Sequence, residues 1–566
     1  MIKPSLKTIQ KMRKNVKVES INGFFDAEYV RAGVGVNFLV GETTLKLDLL
    51  EKSFYRIKYF NGNIQVFLIP PHLVLPKIFC YNGAMQISLE NIKNKKVTVM
   101  GLGLNGGGLA TAQFFARYGA EVTVTDLKTS EDLRPSIEKL SAFKNIRFVL
   151  GEHRIEDFRE ADLVIKNPGV KFEGNVFLEA AKQIESDVSV FLSLSKAPIL
   201  AVTGSKGKSS TVSALYYGLK KLGYNAFLGG NITVSPLSFF EETSCDTPVV
   251  LELSSWQLAD LKNKKLLKPK IAIITPIMPD HLNWYGTMEK YVADKKIIYE
   301  NMDEADYLIC NFDDGWGKIF AEETRANVFW YSEKNPAKEY RGVFFNKNQE
   351  GLCNLSGGEG LLLSKDAKVP GLKLKQNVLN AGLALLIYQK IHKPENLNDN
   401  DILKNNNIKE QSEFIHRFMD EYSGIEHRLE FFYETNGIKF YNDTAATIPE
   451  ASAAALEAFD KPPVLICGGT NKNLNFIPLA EKANLAKSLY LLAGTGTDLL
   501  IPLLKEKAIE YNGPFDSLDS LLFSLKENAE KGDVVILSPG AASFGMFKNE
   551  FDRGNKFKEK VKEIFC

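Results

Sequence analysis

Residues 198–222, PILAVTGSKGKSSTVSALYYGLKKL, decide the fold. Residues 198–202 have the apolar pattern of a short buried strand, Gly204 and Gly207 mark a turn, and residues 210–222 have the spacing of a helix. A strand that enters a helix through a glycine-rich turn with a following lysine is typical of phosphate-binding loops, although this turn is shorter than the usual nucleotide motif. The pattern predicts that ATP phosphates are bound by Gly204, Ser205, Lys206, Gly207, Lys208, Ser209 and Ser210, with Ser209 also bonded to Mg²⁺.

The same order of strand, glycine-rich turn and helix occurs upstream. Residues 97–100 predict a strand, residues 101–106 read GLGLNG, and a helix continues to residue 116 before a second strand that ends at Asp126. This is the G-x-G-x-x-G arrangement of dinucleotide-binding domains, in which glycines let backbone N–H groups approach a diphosphate and the acidic residue accepts ribose hydroxyls. The motif indicates a diphosphate more strongly than it indicates NAD.

A third series of strands and helices begins near residue 437. Strands that alternate with helices imply parallel sheets, so we predict an α/β fold. Residues 1–84 instead show short alternating runs interrupted by glycine and proline, which predict a β-rich segment. The predicted organisation is an extra N-terminal segment of unknown role (1–84), a Rossmann-like domain (85–195), a P-loop-type central domain (196–424) and a Rossmann-like C-terminal domain (425–566).

Composition and charge exclude several classes of protein. The chain has 566 residues and a net charge of +1, so a general attraction for nucleic acids or membrane surfaces is not expected. Its six cysteines lack the spacing of a zinc site or a disulfide framework. The N-terminus has no apolar signal region, and no segment is apolar over the length of a membrane span. We expect a cytoplasmic protein without a nucleic-acid partner or membrane insertion.

Three side chains near other predicted strand ends suit metal or phosphate chemistry. Glu252 ends an apolar strand, and a carboxylate at the carboxyl end of a parallel strand beside a phosphate loop is placed to bind Mg²⁺. His281 follows the next strand, and Lys295 lies on the helix after it. On residue type alone, a helix-capping or surface role stays open for Glu252, a structural role for His281 and a solvated position for Lys295.

Taken together, these motifs and those that follow them resemble the Mur ligase family. The resemblance covers residues 85–566 and rests, in order, on GLGLNGGG, TGSKGKSST, GGNIT, LELSSWQL, ITPIMPDHLNWYG, NVLNAGLALL, EHRLE, YNDTAATIPEA, CGGTNKNLNF and LSPGAASFGMFKNEFDRG. The last run points to the branch that joins D-glutamate to UDP-N-acetylmuramoyl-L-alanine. The resemblance implies a three-domain α/β architecture and an ATP-dependent ligase that forms an amide through an acyl phosphate, in peptidoglycan precursor synthesis and hence in cell wall biogenesis and division.

The resemblance also implies roles for individual residues, with the first domain binding the UDP end of the substrate and not NAD. The implied catalytic residues are Lys208, Glu252, His281 and Lys295, and two Mg²⁺ ions would be held by Ser209, Glu252, His281 and a carbamylated Lys295. Further ATP contacts would come from Asn377, Asn380, Arg428 and Asp443. The UDP-sugar-peptide would be bound by Leu104, Asn105, Asp126, Lys128, Gly169, Asn231 and Gln257, and D-glutamate by Thr447, Lys472, Ser543 and Phe544.

The sequence departs from the family pattern in three places, of which Asn283, where aspartate is common, has the least weight. Ala445 stands where the family commonly has a lysine, and Ser205-Lys206 stands where threonine-asparagine is usual, so Lys206 is a candidate to supply the missing charge. Residues 1–84 have no counterpart in the resemblance, and Met85 reads like an ordinary start for such a ligase. The N-terminal segment is therefore predicted to be either a dispensable appended unit or an over-assigned start.

Other functions stay open on the sequence. Another amide ligase with the same central domain, such as a different Mur ligase or a folylpolyglutamate synthase type, fits the phosphate loop. An NAD-dependent oxidoreductase fits residues 101–106 with Asp126, and a non-catalytic protein with an inherited fold is favoured only by Ala445. Binding of Mg-ATP or of NADH distinguishes the ligases from the oxidoreductase.

Overall fold

The computed structural model describes residues 87–104, 106–336, 340–355, 358–392 and 408–566, together with the backbone of five strands between residues 25 and 69. The chain divides into two units, Met1–Ala84 and Met85–Cys566. Among the helices in these ranges, none combines the length and the apolar character that crossing a membrane requires.

The first unit contains two small antiparallel sheets, which confirms the expected β-rich character. One sheet has the order β1-β4-β5, and the other pairs β2 with β3. The strands are β1 (Phe25–Arg31), β2 (Val36–Val40), β3 (Thr43–Leu47), β4 (Phe54–Phe60) and β5 (Asn63–Ile69).

The second unit begins with a five-stranded parallel sheet of order β10-β9-β6-β7-β8. Strands β6 and β9 are buried along almost their whole length, as expected for parallel strands covered by helices on both faces. The strands are β6 (Lys96–Met100), β7 (Glu121–Asp126), β8 (Ile146–Leu150), β9 (Leu163–Lys166) and β10 (Ile184–Glu185). The helices are Leu89–Ile92, Gly107–Arg117, Arg134–Glu138, Ile155–Arg159, Val176–Ala180 and Asp187–Leu194.

A nine-stranded sheet follows, of order β12-β13-β11-β14-β15-β16-β17-β18-β19, parallel as far as β17 and antiparallel beyond it. Because β11 lies between β13 and β14, the turns that follow these three strands meet at one edge. The strands are β11 (Ile199–Thr203), β12 (Phe227–Gly230), β13 (Val249–Glu252), β14 (Ile271–Ile274), β15 (Tyr307–Asn311), β16 (Asn327–Ser332), β17 (Gly342–Phe345), β18 (Gly351–Leu355) and β19 (Gly358–Leu363). The helices are Lys208–Lys221, the 3₁₀ helix Pro236–Glu242, Ser255–Asp260, Leu282–Tyr285, Met288–Lys296, Gly315–Glu323, Gly371–Ile391 and Ile408–Met419.

The C-terminal part is a six-stranded sheet of order β20-β21-β25-β22-β23-β24, in which only the edge strand β20 runs antiparallel to its neighbour. The strands are β20 (Glu430–Thr435), β21 (Ile438–Asn442), β22 (Val464–Gly468), β23 (Ser488–Leu492), β24 (Asn512–Phe515) and β25 (Val534–Leu537). The helices are Pro449–Leu456, Ile477–Lys482, the 3₁₀ helix Ala483–Leu485, Thr495–Glu506, Leu518–Asn528 and Glu550–Ile564.

The apolar cores show how the three sheets of the second unit are joined. One cluster of buried side chains continues from the first sheet into the central sheet, with Phe114 packed edge-on against Phe240. A second cluster lies on the opposite face of the central sheet, beneath the helix Gly371–Ile391. The C-terminal sheet has two clusters of its own, one on each face. The first two domains therefore share a core, whereas the C-terminal domain is stabilised by its own.

Candidate active site

The phosphate-loop pattern forms the turn between β11 and the helix Lys208–Lys221. A Cβ on Gly204, where φ is +140°, would lie 1.9 Å from Thr275 Oγ1, and a Cβ on Gly207, where φ is +90°, would lie 2.5 Å from Asn377 Oδ1. Both positions therefore need glycine for backbone conformation and for space. No side chain caps the helix at Gly207, so its first backbone N–H groups are available to an anion.

Lys208 and Ser205 hold this turn in shape. Lys208 Nζ donates hydrogen bonds of 3.0 Å to the carbonyl oxygens of both Gly204 and Ser205. The Ser205 hydroxyl donates to the Met278 carbonyl at 2.9 Å and lies 3.0 Å from the Tyr291 hydroxyl, so its side chain supports the turn. Burial lowers the pKa of Lys208, and the nearby carboxylates of Glu252 and Asp280 partly oppose this. Lys206 is exposed on the outside of the turn, and Ser209 and Ser210 are half-buried in the first turn of the helix.

Glu252 ends β13, next to β11, and is only 1% exposed. Its Oε1 accepts a 2.8 Å hydrogen bond from Asn231 Nδ2, while its Oε2 is buried without a hydrogen-bond partner. A buried carboxylate oxygen with no partner is costly, and a bound cation would remove that cost. Carboxylate and hydroxyl oxygens are the ligands that Mg²⁺ prefers, so Glu252 with the nearby Ser209 fits this ion. A surface position for Glu252 is excluded.

Lys295 lies on the helix Met288–Lys296 and is 1% exposed, which excludes the solvated position. Its Nζ donates a 2.8 Å hydrogen bond to the same Gly204 carbonyl that Lys208 contacts, and lies 4.5 Å from the centre of the Tyr291 ring. Burial and the repulsion from Lys208 lower the pKa of Lys295 to about 7. A neutral amine is therefore well populated near pH 7, and only a neutral amine can react with CO₂ to form a carbamate.

His281 lies at the mouth of the same region. Its ring centroid lies 4.8 Å from that of Trp256, which in turn packs 5.0 Å from Trp284. The side chain is 43% exposed, and Nε2 lies 3.8 Å from Asp280 Oδ2. An exposed imidazole supported by aromatic rings at the edge of a phosphate loop can bind a metal ion or position a substrate amine.

A cavity of about 500 Å³ opens beside the phosphate loop. It lies between the helix Gly371–Ile391 and the C-terminal domain, and Ser210 forms part of its wall. Apolar side chains dominate the lining, which suits a planar base, and Arg428 and Asp443 supply charge. Ala445 and Thr447 also line it, so Thr447, which the resemblance assigns to D-glutamate, lies beside the two residues assigned to ATP.

Asp443 is 7% exposed, and its carboxylate accepts hydrogen bonds from the Leu429 amide at 3.1 Å and from the Ser538 hydroxyl at 2.6 Å. Burial raises the pKa of Asp443 to about 7 despite these bonds and the positive charge of Arg428. The folded protein therefore retains a proton that the unfolded chain loses above its ordinary pKa of 3.8. The contribution of Asp443 to the free energy of unfolding is fully present below about pH 4 and is lost as the pH rises to about 7.

We expect Asp443→Asn to be more stable than the parent chain by about 1 kcal/mol at pH 5 and about 3 kcal/mol at pH 8, because the amide is neutral at both. Urea denaturation at the two pH values measures the difference. An equal gain at both would contradict a raised pKa for Asp443. Asp443→Ala, which also removes the bonds to Leu429 and Ser538, serves as the control: it should be less stable than Asp443→Asn at both pH values but show the same change in stability between them.

Two asparagines on the helix Gly371–Ile391 lie behind the phosphate loop. The carboxamide of Asn377 faces Gly207, as the close approach of its Oδ1 shows. Asn380 is fully buried; its Oδ1 accepts a 2.9 Å hydrogen bond from Gln376 Nε2, and its Nδ2 has no hydrogen-bond partner. Both residues assigned to ATP on this helix are thus at the loop or immediately behind it.

The glycine-rich turn of the first domain is held by Asp126. Its Oδ2 accepts hydrogen bonds from the amides of Leu102 at 2.9 Å and Gly103 at 3.1 Å, and its Oδ1 accepts one from the Lys128 amide at 3.0 Å. These three bonds use most of the accepting capacity of a carboxylate that is only 9% exposed, and they show that Asp126 shapes the turn. Leu104 and the Lys128 side chain are exposed beside the turn, and Asn105 lies outside the described residues.

Three further residues are assigned to the UDP substrate by the resemblance. The Gly169 amide donates a 3.1 Å hydrogen bond to Asn167 Oδ1, and the Asn167 side chain packs against Gly101 of the glycine-rich turn. Asn231 is exposed apart from its bond to Glu252. Gln257 is buried, and its Oε1 accepts hydrogen bonds from the Ser254 amide at 3.1 Å and hydroxyl at 3.2 Å, which cap the helix Ser255–Asp260.

Lys472, Ser543 and Phe544 come together in the C-terminal domain. Lys472 Nζ lies 4.4 Å from the centre of the Phe544 ring, which is 50% exposed, and Ser543 is buried next to it. Thr470 joins the two loops through backbone hydrogen bonds of 3.0 Å with Ala542 in both directions. A cation and a hydroxyl on neighbouring loops are suited to a carboxylate ligand.

Sequence reasoning missed the residues that shape these loops. Thr275, Tyr291 and Asn167 support the turns, and Ser538 bonds to Asp443. Thr275 and Ser538 lie in motifs that carry the family resemblance, but residue type does not reveal a supporting role. The only available signal was position, because each follows or faces the carboxyl end of a parallel strand.

Known proteins resemble this chain in sequence over most of its length. The family model of the Mur ligase middle domain matches residues 202–387, and the Mur ligase MurD-like N-terminal domain matches residues 95–189. The UDP-N-acetylmuramoylalanine--D-glutamate ligase of Treponema pallidum is 47% identical over 84% of this chain and 98% of its own length. The proteins of the same name from Borreliella afzelii and a Roseiflexus species are 40% and 38% identical, each over 84% of this chain and 99% of their own.

Among solved structures, the UDP-N-acetylmuramate-alanine ligase MurC of Thermotoga maritima is 19% identical, with a TM-score of 0.47, covering 83% of this chain and 99% of its own. The curated relatives are matched along almost their full length at high identity. The chain therefore belongs to the Mur ligase family.

Proposed function

We propose that this protein is an ATP-dependent ligase that joins D-glutamate to UDP-N-acetylmuramoyl-L-alanine through an acyl phosphate. The observation that carries the proposal is the convergence of Lys208, Lys295 and the unpartnered Oε2 of Glu252 at the carboxyl ends of adjacent parallel strands. The names of the relatives support the amino acid and the UDP substrate. An oxidoreductase is disfavoured because the curated relatives, which match 84% of this chain, are named as ligases.

Two Mg²⁺ ions would be held by Ser209, Glu252, His281 and Lys295 in its carbamylated form. When bound, such ions neutralise charge on the phosphate oxygens during transfer. Carbamylation converts a buried cation into an anion, which removes the repulsion between Lys295 and Lys208 that lowers the pKa of Lys295.

The first chemical step transfers the γ-phosphoryl group. A carboxylate oxygen of the L-alanyl end attacks phosphorus, a new P–O bond forms, and the bond to the β-γ bridging oxygen breaks to release ADP. The open N-terminus of the helix Lys208–Lys221 and the Lys208 ammonium would hold the phosphates, with Asn377 close behind. Arg428 and Asp443 would hold the adenosine part in the 500 Å³ cavity.

The second step forms the amide. The amine of D-glutamate attacks the acyl carbon, the tetrahedral intermediate expels inorganic phosphate, and the amine loses a proton. Lys472 and Ser543 would bind the carboxylates of D-glutamate, beside Phe544. His281 would position the amine or bind metal. The ligands come from three domains, so closure on substrate would exclude water from the acyl phosphate.

The remaining parts of the proposal concern the whole chain. Every candidate residue lies after residue 84, so we propose that residues 85–566 carry the activity, with the domains bounded as the sequence predicts. We place the reaction in the cytoplasm, where ATP is available, and propose that the protein acts as a monomer.

The test is phosphate release with ATP, Mg²⁺ and UDP-N-acetylmuramoyl-L-alanine, with each component omitted in turn. D-glutamate, L-glutamate and other amino acids are offered separately. Release that requires D-glutamate would establish the reaction. Release with a different amino acid would keep the ligase mechanism and change the assigned step, and no release with any amino acid would overturn the proposal.

Lys206 is expected to compensate for Ala445. Its exposed ammonium lies on the phosphate turn, close enough to Lys208 to affect the pKa of that residue. We expect Lys206→Ala to raise the KM for ATP about 5- to 10-fold, as for loss of about 1 kcal/mol of charge-assisted bonding. Steady-state kinetics measure this, and Lys206→Ala with Ala445→Lys should recover it. An unchanged KM for ATP would exclude this role.

A further inference from the structure

A buried ion pair outside the catalytic centre joins the first and central domains. Lys166 is the last residue of β9, and Asp260 is the last residue of the helix Ser255–Asp260. Lys166 Nζ donates a 2.8 Å hydrogen bond to Asp260 Oδ2, and the two side chains are 6% and 15% exposed. Neither residue belongs to a motif that the sequence analysis used.

Each partner is directly connected to a segment assigned to the UDP substrate. Lys166 precedes the turn that begins with Asn167 and contains Gly169, and its Nζ also donates to the Asn167 carbonyl at 3.4 Å. This turn packs against Gly101 through the Asn167 side chain. On the other side, Asp260 lies one helical turn after Gln257, on a helix that begins directly after β13. The pair therefore links the two protein segments on either side of the UDP-sugar site.

The pair lies among other charged groups. Burial raises the pKa of Asp260 to about 6, Lys166 and Lys264 oppose that rise, and Asp187 adds to it. Asp187 is half-buried at the start of the helix Asp187–Leu194 and is attracted to Lys166. Removing either member of a buried ion pair leaves an uncompensated charge, so the segments are held in the one register that keeps the pair together.

A second ion pair crosses the same boundary but does not touch the turn. Lys264 Nζ lies 2.8 Å from Glu185 Oε2 and donates to the Ile184 carbonyl at 3.0 Å. Both of these partners are in β10, at the edge of the first sheet. Lys264 therefore provides a control for the domain boundary, because it joins the same two domains without holding a substrate segment; its charge also acts on Asp260, so a small change, below twofold, is expected.

We propose that Lys166 and Asp260 are positioning residues for the UDP-sugar end of the substrate. The pair fixes the Asn167–Gly169 turn against the Gln257 helix before substrate arrives, so less ordering is needed on binding. ATP and the amino acid are bound elsewhere and do not depend on it. The inference rests on the proposed function, since it names the site at which that substrate binds.

The experiment uses the full chain and three variants, Lys166→Met, Asp260→Asn and Lys264→Met. Steady-state kinetics give kcat and the KM for each substrate, and calorimetry gives the Kd for UDP-N-acetylmuramoyl-L-alanine without ATP. We expect Lys166→Met and Asp260→Asn to raise the KM and Kd for the UDP substrate about 10-fold. The KM for ATP and the kcat at saturation should stay within twofold of the parent values. The double variant should bind the UDP substrate no more weakly than the weaker-binding single variant. Lys264→Met should leave the Kd for the UDP substrate within twofold.

An unchanged Kd in either variant at the pair would overturn the inference. An equal rise in the Kd of Lys264→Met would also overturn it, because that would indicate general loosening of the domain boundary. So would a parallel rise in the KM for ATP. If Lys166→Met fails to fold, the test of the inference rests on Asp260→Asn, which keeps the size of the side chain. If the parent chain binds the UDP substrate but releases no phosphate, the proposed function fails, and calorimetry still tests the pair.

Discussion

Replacing Glu252 with glutamine should lower kcat/KM about 10³-fold, which corresponds to about 4 kcal/mol of transition-state stabilisation. Glutamine keeps the size of the side chain and an oxygen that can accept the bond from Asn231, but it removes the charge that fits a cation. The buried oxygen Oε2, which has no hydrogen-bond partner, is also the reason to expect that stability does not fall. Activity should therefore be lost while the melting temperature stays the same or rises.

Phosphate release and thermal unfolding measure the two effects on one preparation. Glu322→Gln, an exposed glutamate of the same domain, is the control and should match the parent chain in both. A Glu252→Gln variant that keeps more than a tenth of the activity would contradict a role in metal binding. A variant that loses activity because it unfolds would contradict the expectation on stability.

Replacing Lys295 with methionine should also abolish activity, by about 10³-fold, and should stabilise the protein. Lys295 is 1% exposed and shares the Gly204 carbonyl with Lys208, so an ammonium here is destabilised by burial and by repulsion. Methionine fills the same space without charge, and we expect a gain of about 2 kcal/mol in unfolding free energy near pH 7. Denaturation by urea measures the gain.

Lys296→Met is the control for this variant, because Lys296 is the next residue of the helix and its 2.6 Å ion pair with Glu323 is partly exposed. Such a pair contributes little to the free energy of unfolding, so activity and stability should change little in this variant.

A carbamate on Lys295 predicts in addition that the parent enzyme loses activity in CO₂-depleted buffer and regains it with bicarbonate. Full activity of Lys295→Met, or of the parent chain without CO₂, would contradict the assigned role.

Most of the fold was predictable because its signals are local. The strands predicted at 97–100, before Asp126 and at 198–202 correspond to β6, β7 and β11, since short apolar runs next to glycine-rich turns define buried parallel strands. Strands β8, β12 and β20 were not predicted. They lie nearer the sheet edges and are only partly buried, so their sequences carry a weaker apolar pattern.

The sequence named candidate site residues but not their geometry. Motif order placed Glu252, Lys295 and Asp443 in the site, and the structure brings Lys208 to the same carbonyl as Lys295. The sequence did not show that Asp126 is bonded to three backbone amides or that Gln257 caps its own helix. Hydrogen bonds of this kind depend on which loops face each other, and residue type does not specify that.

The sequence by itself determined the order of the α/β domains, the phosphate turn at residues 204–208 and the family. Strand and helix alternation, and the need for glycine followed by lysine, are properties of a few neighbouring residues. Only the tertiary structure decided the charge state of Lys295 and Asp443, the unpartnered oxygen of Glu252 and the pairing of Lys166 with Asp260. Burial and charge attraction act across space, between residues as far apart in the chain as Lys295 and Gly204, which are 91 positions from each other.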